Sequence, residues 1–256
     1  MSSLNKPKIL MVGANGSLGS YLSDHLEVDK FCRNSRIQDF IDNSYDIIIY
    51  CASNNKNFRS HELIDYFYDN FGLLRDILNI NHEYLIYFSS VDVYPRNIEI
   101  CLENLEIEVR DIQSPYAVFK LLSEELIKRV EKSSFAILRP TMMVSSNSPK
   151  NNLKRLLEDE SPKLSVSKDS EYNLVLYSDV LNVVKFLIDT RQPGIFNLAS
   201  SQNIKLYDLA AKLNKRVDWG GYLYKLQNID VTKISGINSA FLKTSEQVIS
   251  ELYKLQ

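Results

Sequence analysis

The chain has 256 residues, 45% of them hydrophobic, enough for one large α/β domain with an appendage or for two modest ones, and a disordered chain is not expected. Lys+Arg (30) and Asp+Glu (32) nearly cancel, so no broad positive field is present to hold a nucleic-acid backbone or an anionic membrane. Cys32, Cys51 and Cys101 are odd in number and lack metal-ligand spacing, which fits free thiols in a reducing compartment; a cytoplasmic protein with no metal is expected.

The N-terminal apolar run stops at Gly13, too short for a secretion signal with its cleavage site. From residue 8, KILMVG reads as an unbroken apolar strand, and SLGSYLSDHL then sets Leu18, Tyr21, Leu22 and Leu26 at helical spacing. A short strand over 29–33, a brief helix over 38–43 and the strand DIIIYCA follow. A helix over 61–79 leads to the strand YLIYFSS. Ser114 suits a helix cap and Pro115 a first helical position, so a helix runs from there to about 132, before the strand FAILRP. The apolar stretches 45–52 and 84–88 fall far below the roughly 20 residues that cross a bilayer and read as buried strands. Unbroken strands alternating with helices predict an α/β fold: a Rossmann-type doubly wound parallel sheet with right-handed crossovers. After Pro140 the segments shorten, SSNSPKNN reads as loop, and helices are expected near 152–158, 179–189, 206–213 and 245–255.

Gly13-Ala14-Asn15-Gly16-Ser17-Leu18-Gly19 is a GxxGxxG run between a predicted strand and a predicted helix. The first glycine permits a sharp turn, the second lets backbone N–H groups approach phosphate oxygens, and the third lets the helix sit close to the sheet. A tight βα turn is the plainer alternative; a dinucleotide cradle is the functional one. Past the second strand the chain reads FCRNSR, where a carboxylate would take a ribose 2′-hydroxyl and a basic group a 2′-phosphate. Arg33 therefore points to NADP, with NAD as the alternative should Arg33 and Arg36 be solvated and Asp29 or Asp39 do the reading. Strand ends complete the expected cofactor set: Cys51, Ala52, Ser53, Ser89 and Pro140. The expected division is a dinucleotide-binding domain over 1–140, with return elements from about 174 to 200, and a smaller substrate-binding region over 141–256.

SPYAVFK places Tyr116 and Lys120 four residues apart on one helix face. A free phenol has a pKa near 10, and a neighbouring ammonium would lower it toward neutrality. Ser90, at the carboxyl end of a buried strand, could hydrogen-bond a substrate carbonyl oxygen. Singly these are an exposed helical pair and a strand-end loop; together, behind a glycine triplet, they form a candidate catalytic set.

With these segments in view, the chain resembles the extended short-chain dehydrogenase/reductases that act on sugar nucleotides. VGANGSLG is similar to that family's glycine turn, FSSVDVYP to its strand end, SPYAVFK to its YxxxK helix, and LRP closes the set. Fainter similarity continues through DNFGLLRDIL, LYSDVLNVVKFLI, GIFNLAS, IKLYDLAAKL and DVTKISGI. The resemblance implies that Ser90 orients the carbonyl, Tyr116 is the acid/base, and Lys120 also grips the nicotinamide ribose. It places substrate beside Ser90, Val91, Asp92 and Tyr116. Related 4,6-dehydratases carry Thr-Asp-Glu where this chain has Ser90-Val91-Asp92, and Val91 cannot donate a proton, so dehydration is not expected. A cysteine that supports 3,5-epimerisation in GDP-fucose-type enzymes is replaced by Asp92. The family's proton-relay asparagine maps to Asp69 or Asn70, its small residue before the lysine is Phe119, and the arginine that clamps a nucleotide diphosphate is missing near Tyr172-Asn173.

His25, His61 and His82 have no ligand-spaced partners, and no metal is expected. Trp219 could close over a ligand but reads more simply as a packing anchor. Asn151 and Asn152 are candidate substrate contacts, with a helix cap the simpler account. EELIKRVEK is a solvated face that also suits one half of a homodimer contact. The functional expectation is NADP-dependent reduction of a keto-sugar, nucleotide-linked, with a sugar-nucleotide 4-epimerase and a non-catalytic dinucleotide sensor as alternatives.

Overall fold

The computed structural model describes residues 6–54, 63–112, 114–130 and 133–253. In chain order the elements are β1 (Ile9–Val12), α1 (Ser17–Ser23), β2 (Asp29–Phe31), β3 (Ser44–Tyr50), α2 (Leu63–Phe67), α3 (Leu73–Ile77) and β4 (Asn81–Phe88). There follow β5 (Ile100–Cys101), α4 (Pro115–Val130), β6 (Ser134–Pro140), β7 (Met142–Val144), α5 (Asn152–Glu158), β8 (Glu171–Tyr172), β9 (Leu174–Leu176) and α6 (Tyr177–Thr190). The chain continues with β10 (Gly194–Leu198), β11 (Ile204–Lys205), α7 (Leu206–Lys212), β12 (Asn228–Ile229), α8 (Thr232–Ser235) and α9 (Ser245–Tyr253).

Six strands form one sheet in the order β10-β6-β4-β3-β1-β2. The β1–β2, β1–β3, β3–β4 and β4–β6 pairs are parallel, with Leu10 opposite Ile48 and Ile86 opposite Ala136. Every residue of β1 is buried, as are Ile47–Tyr50 in β3 and Tyr84–Phe88 in β4, because helices cover both faces and no polar alternation is needed. One cluster runs through Leu10, Val12, Ile48, Leu85 and Ile137 to Leu74, Ile77 and Ile127 on the helices. This is the predicted doubly wound sheet. Strand order reverses between β1 and β3, the place where such sheets leave a crevice at their carboxyl ends.

The described residues fall into two compact units, the first drawn from 1–95, 104–139 and 181–196, the second from 96–103, 140–180 and 197–256. The second is built on small two-stranded ladders, β7–β9, β8–β11 and β5–β12. Its own core gathers Leu156, Leu174, Leu206 and Ile249, with Trp219 packed at the edge as an anchor. Its buried polar hub is Asn173: the amide donates to the Ser200 carbonyl at 2.8 Å and accepts from Thr141 Oγ1 at 3.1 Å. Among the described residues, no helix is long and apolar enough to cross a membrane.

Three elements depart from expectation for local reasons. The brief helix over 38–43 is a 3-10 turn at Ile37–Asp39, since so short a run cannot offset helix nucleation and Phe40 and Ile41 turn into the core instead. The second strand ends at Phe31, whose carbonyl takes the Gly13 N–H at 3.0 Å, while the Cys32 N–H turns to the Ser35 hydroxyl. The helix over 61–79 is interrupted by a π-turn at Tyr68–Gly72; His61 and the end of the helix predicted to 132 lie outside the described residues.

A Cβ at Gly19 would collide with the Gly13 carbonyl oxygen, whereas nothing lies within 4 Å of one at Gly221. Gly19→Ala is expected to lose about 1–3 kcal/mol, as other overpacked sites do. Gly221→Ala should stay within about 0.5 kcal/mol of the parent. Urea denaturation midpoints of the two variants check both.

Candidate active site

The glycine run forms the turn out of β1. Gly13 has φ +86°, which favours glycine, and a Cβ there would lie 2.7 Å from the Ala52 nitrogen. Gly16 N–H closes the turn on the Gly13 carbonyl at 2.9 Å, and Gly16 caps α1 with no side chain, leaving the first-turn amides open. Beside it is a cavity of about 850 Å3 lined by Gly13, Asn15, Gly16, Cys51, Ala52 and Ser53, with Arg33 and Arg36 on its wall. That volume is within the range of small-molecule sites, and the glycines make room that side chains would fill, so these residues fit a dinucleotide. Of the remaining predicted cradle residues, Ser17 opens α1, and Leu18 and Gly19 are buried against the sheet.

Ser90 follows β4 and starts a 3-10 turn at Val91–Val93, its hydroxyl accepting the Asp92 N–H at 3.1 Å. Opposite it, α4 is capped by Ser114, whose hydroxyl accepts the Ala117 N–H at 3.1 Å, with Pro115 in the first position. The first turn of α4 carries half-buried Tyr116, with the Ser90 and Ser53 hydroxyls beside its phenol. One turn on, buried Lys120 donates to the Phe88 carbonyl at 2.7 Å and lies 5.8 Å from the Tyr116 ring centre. The three predicted catalytic residues are thus together at the carboxyl edge of the sheet.

The electrostatics reverse the sequence expectation that Lys120 lowers the phenol. Burial, then the Asp92 charge, push Tyr116 up to about 12, against the opposing influence of the Ser90 and Ser53 hydroxyls. Burial likewise brings Lys120 down to about 8, only partly offset by Cys51 and Glu124. The ammonium is desolvated and aimed at Phe88, so it has little effect on the phenol. Cys51, on the cavity wall, is pushed up to about 12 by burial, which argues against a reactive thiol there.

Comparison with known proteins follows the same lines. The model of the NAD dependent epimerase/dehydratase family matches residues 9–199. The chain belongs to that family. Among the curated proteins, none matches it in sequence. Solved structures do. A dTDP-4-dehydrorhamnose reductase from Bacillus anthracis in complex with NADP superposes with a TM-score of 0.76 at 17% identity, covering 98% of this chain and 100% of that one. A UDP-glucuronic acid 4-epimerase from Bacillus cereus with UDP-glucuronic acid and NAD gives 0.76 at 16% identity, over 97% and 100% of the two chains. MoeE5 in complex with UDP-glucuronic acid and NAD gives 0.74 at 17%, over 96% and 100%. These likenesses show that the chain shares its fold with those three proteins.

Against that family frame, the residues that sequence reasoning missed are those that hold the set in place. Glu124, one further turn along α4, is fully buried and takes a bidentate ion pair from buried Arg139, at 3.0 Å to Oε1 and 2.6 Å to Oε2. Arg139 also donates to the Tyr94 hydroxyl at 2.9 Å, and the Ser89 hydroxyl donates to Glu124 at 2.5 Å. Ser89, expected to meet the cofactor, therefore has its side chain committed to this network. Asn70, in the π-turn, receives the Asn54 N–H and donates to the Asn54 and Tyr66 carbonyls, all at 2.9–3.0 Å. The amide is thus locked into the loop after β3. Phe119 is accommodated edge-on to Tyr66 and Phe67.

The other candidates are scattered. Val91 is buried and Asp92 half-buried beside Tyr116. Asn151 caps α5 through the Lys154 N–H at 2.9 Å, and Asn152 exchanges hydrogen bonds with Ser165, so both side chains have structural partners within the chain. Pro140 is buried as the last residue of β6. Arg33 is paired with Asp69 and Arg36 with Asp39. Among the described residues, no group of His, Cys, Asp and Glu could hold a metal ion.

Removing the Glu124 carboxylate leaves Arg139 as an uncompensated buried charge, so Glu124→Ala should cost about 3–5 kcal/mol. Glu27→Ala, which breaks the exposed Lys6 pair, should cost no more than about 1 kcal/mol. Chemical denaturation of both variants measures the contrast. For Lys120 the sign follows from its depressed pKa: the folded state loses the proton near 8, the unfolded state near 10.5. The penalty for burying the ammonium is complete below pH 8 and disappears as pH rises to 10.5, so wild type should gain stability relative to Lys120→Met across that interval. A difference flat from pH 7 to 10.5 would mean that the ammonium remains solvated.

Proposed function

We propose that the chain is an NADP-dependent ketoreductase of a nucleotide-linked sugar, with residues 141–256 supplying the sugar side. The observation that carries this reading is a phenol raised above its ordinary pKa, with the Ser90 hydroxyl beside it and Ser53, its other neighbour, lining a cavity that fits a dinucleotide. The dinucleotide, when bound, supplies the hydride. Ser90 would hydrogen-bond the substrate carbonyl oxygen and polarise it. Tyr116 would give its proton to the same oxygen as negative charge develops there, and Asp92, by disfavouring the phenolate, keeps that proton available. Lys120 would hold the nicotinamide ribose and replace the proton that Tyr116 has lost. Val91 lacks an acid group for water loss, consistent with simple reduction. The basic wall residues Arg33 and Arg36 support NADP, and the substrate class is supported by family membership and by the sugar-nucleotide ligands of the structural neighbours.

A 4-epimerase is the second reading, supported by the NAD-containing 4-epimerase among the neighbours. It would require Tyr116 to begin as a base, and a phenol raised to about 12 is poorly suited to that role. Tyr116→Phe is expected to lower NADPH-dependent reduction of a nucleotide-linked 4-keto-sugar by about 10²–10⁴-fold while leaving NADPH affinity within about twofold. Wild-type turnover in that variant would refute the mechanism. Interconversion of 4-hydroxyl epimers by wild type without net NADPH oxidation would transfer the assignment to the second reading.

A further inference from the structure

The cavity wall carries its basic residues already paired. Arg33 lies in the turn after β2 with its side chain 75% exposed, and its guanidinium meets Asp69 at 3.3 Å. Asp69 comes from the π-turn, 36 residues away in sequence, and it is not a loosely held surface group. The same carboxylate oxygen accepts the Asn54 amide at 2.9 Å. Asn54 is in turn fixed by Asn70, which takes its backbone N–H and donates to its backbone carbonyl. The carboxylate is therefore the anchored member of the pair and the long arginine side chain the movable one. Arg36, the second basic wall residue, is engaged by Asp39 at 3.0 Å.

A 2′-phosphate has close to two negative charges at neutral pH and needs guanidinium donors. A 2′-hydroxyl makes no such demand. Arg33 close to a fixed carboxylate offers a phosphate a partly neutralised cation and a like charge behind it. We propose that Asp69 sets the cofactor preference of this site, holding Arg33 in an ion pair that a 2′-phosphate has to displace, so that the discrimination between NADP and NAD is made by the Arg33–Asp69 pair and not by the β2 turn alone. This rests on the reading of the cavity as a dinucleotide site.

The test is calorimetric titration of NADPH and of NADH into the purified full chain, in a double-mutant cycle of Asp69→Asn and Arg33→Ala. Asparagine keeps an oxygen for the Asn54 amide and removes only the charge. Asp69→Asn should raise the NADPH-to-NADH affinity ratio by about tenfold, with NADH affinity little changed, and in the Arg33→Ala background the same substitution should move the ratio by less than about twofold. An unchanged ratio, or a gain that persists without Arg33, overturns the proposal and leaves the dinucleotide reading standing. Binding of neither dinucleotide by the wild-type chain overturns both.

Discussion

The candidate active site depends on one buried ion pair. Glu124 and Arg139 are, respectively, 0% and 1% exposed, and taking two such charges out of water costs several kcal/mol each unless geometry and hydrogen bonds compensate. Here they do: the pair is bidentate, and Ser89 and Tyr94 take up further capacity on the carboxylate and the guanidinium. The consequence is positional. Tyr116, Lys120 and Glu124 follow each other at i, i+4 and i+8, so fixing the last sets the rotation of the whole α4 face about its axis. The ion pair joins α4 to β6, and its Ser89 contact joins both to the end of β4, one residue before Ser90. Phenol, ammonium and serine hydroxyl are held in register by a buried pair that does not line the cavity.

What could be read from the sequence was what is encoded locally. The apolar runs of β1, β3 and β4, the Ser114–Pro115 helix start and the glycine turn each express a backbone preference within a few residues, and each is present. The α5 bounds agree to the residue because Asn151 is a local cap. The candidate catalytic residues were legible for the same reason, since a YxxxK pair on a helix and a serine at a strand end need only the right fold to meet. The supporting partners were not. Glu124 and Arg139 look in sequence like one member of a solvated charged face and one strand-end residue, and only the packing of α4 against β6 makes them a buried pair. Asp69 is 36 residues from Arg33, in a π-turn that no periodicity announces, so FCRNSR read alone suggests an unopposed basic loop.

The same limit explains why the expected influence of lysine on tyrosine is reversed. Helical spacing places the two side chains on one face, but Coulomb attraction matters only if the ammonium faces the phenol and retains its charge. In the structure Lys120 is directed to the Phe88 carbonyl and desolvated, whereas Tyr116 is affected more by its own burial and by Asp92. The two groups are displaced in opposite directions, the acid that should be weak becoming weaker and the base becoming less basic. That ordering suits a proton that travels outward from the protein. On the proposed mechanism, a phenolate left after Tyr116 gave up its proton would, at about 12, be a stronger base than the Lys120 amine, at about 8, and a proton would pass from lysine to tyrosine downhill. Lysine would then be the group that refills the donor, and the burial that makes an isolated ammonium costly would make that transfer favourable. A site whose tyrosine had to start as a base would need the opposite arrangement, with the ammonium turned toward the phenol and the carboxylate of Asp92 directed away.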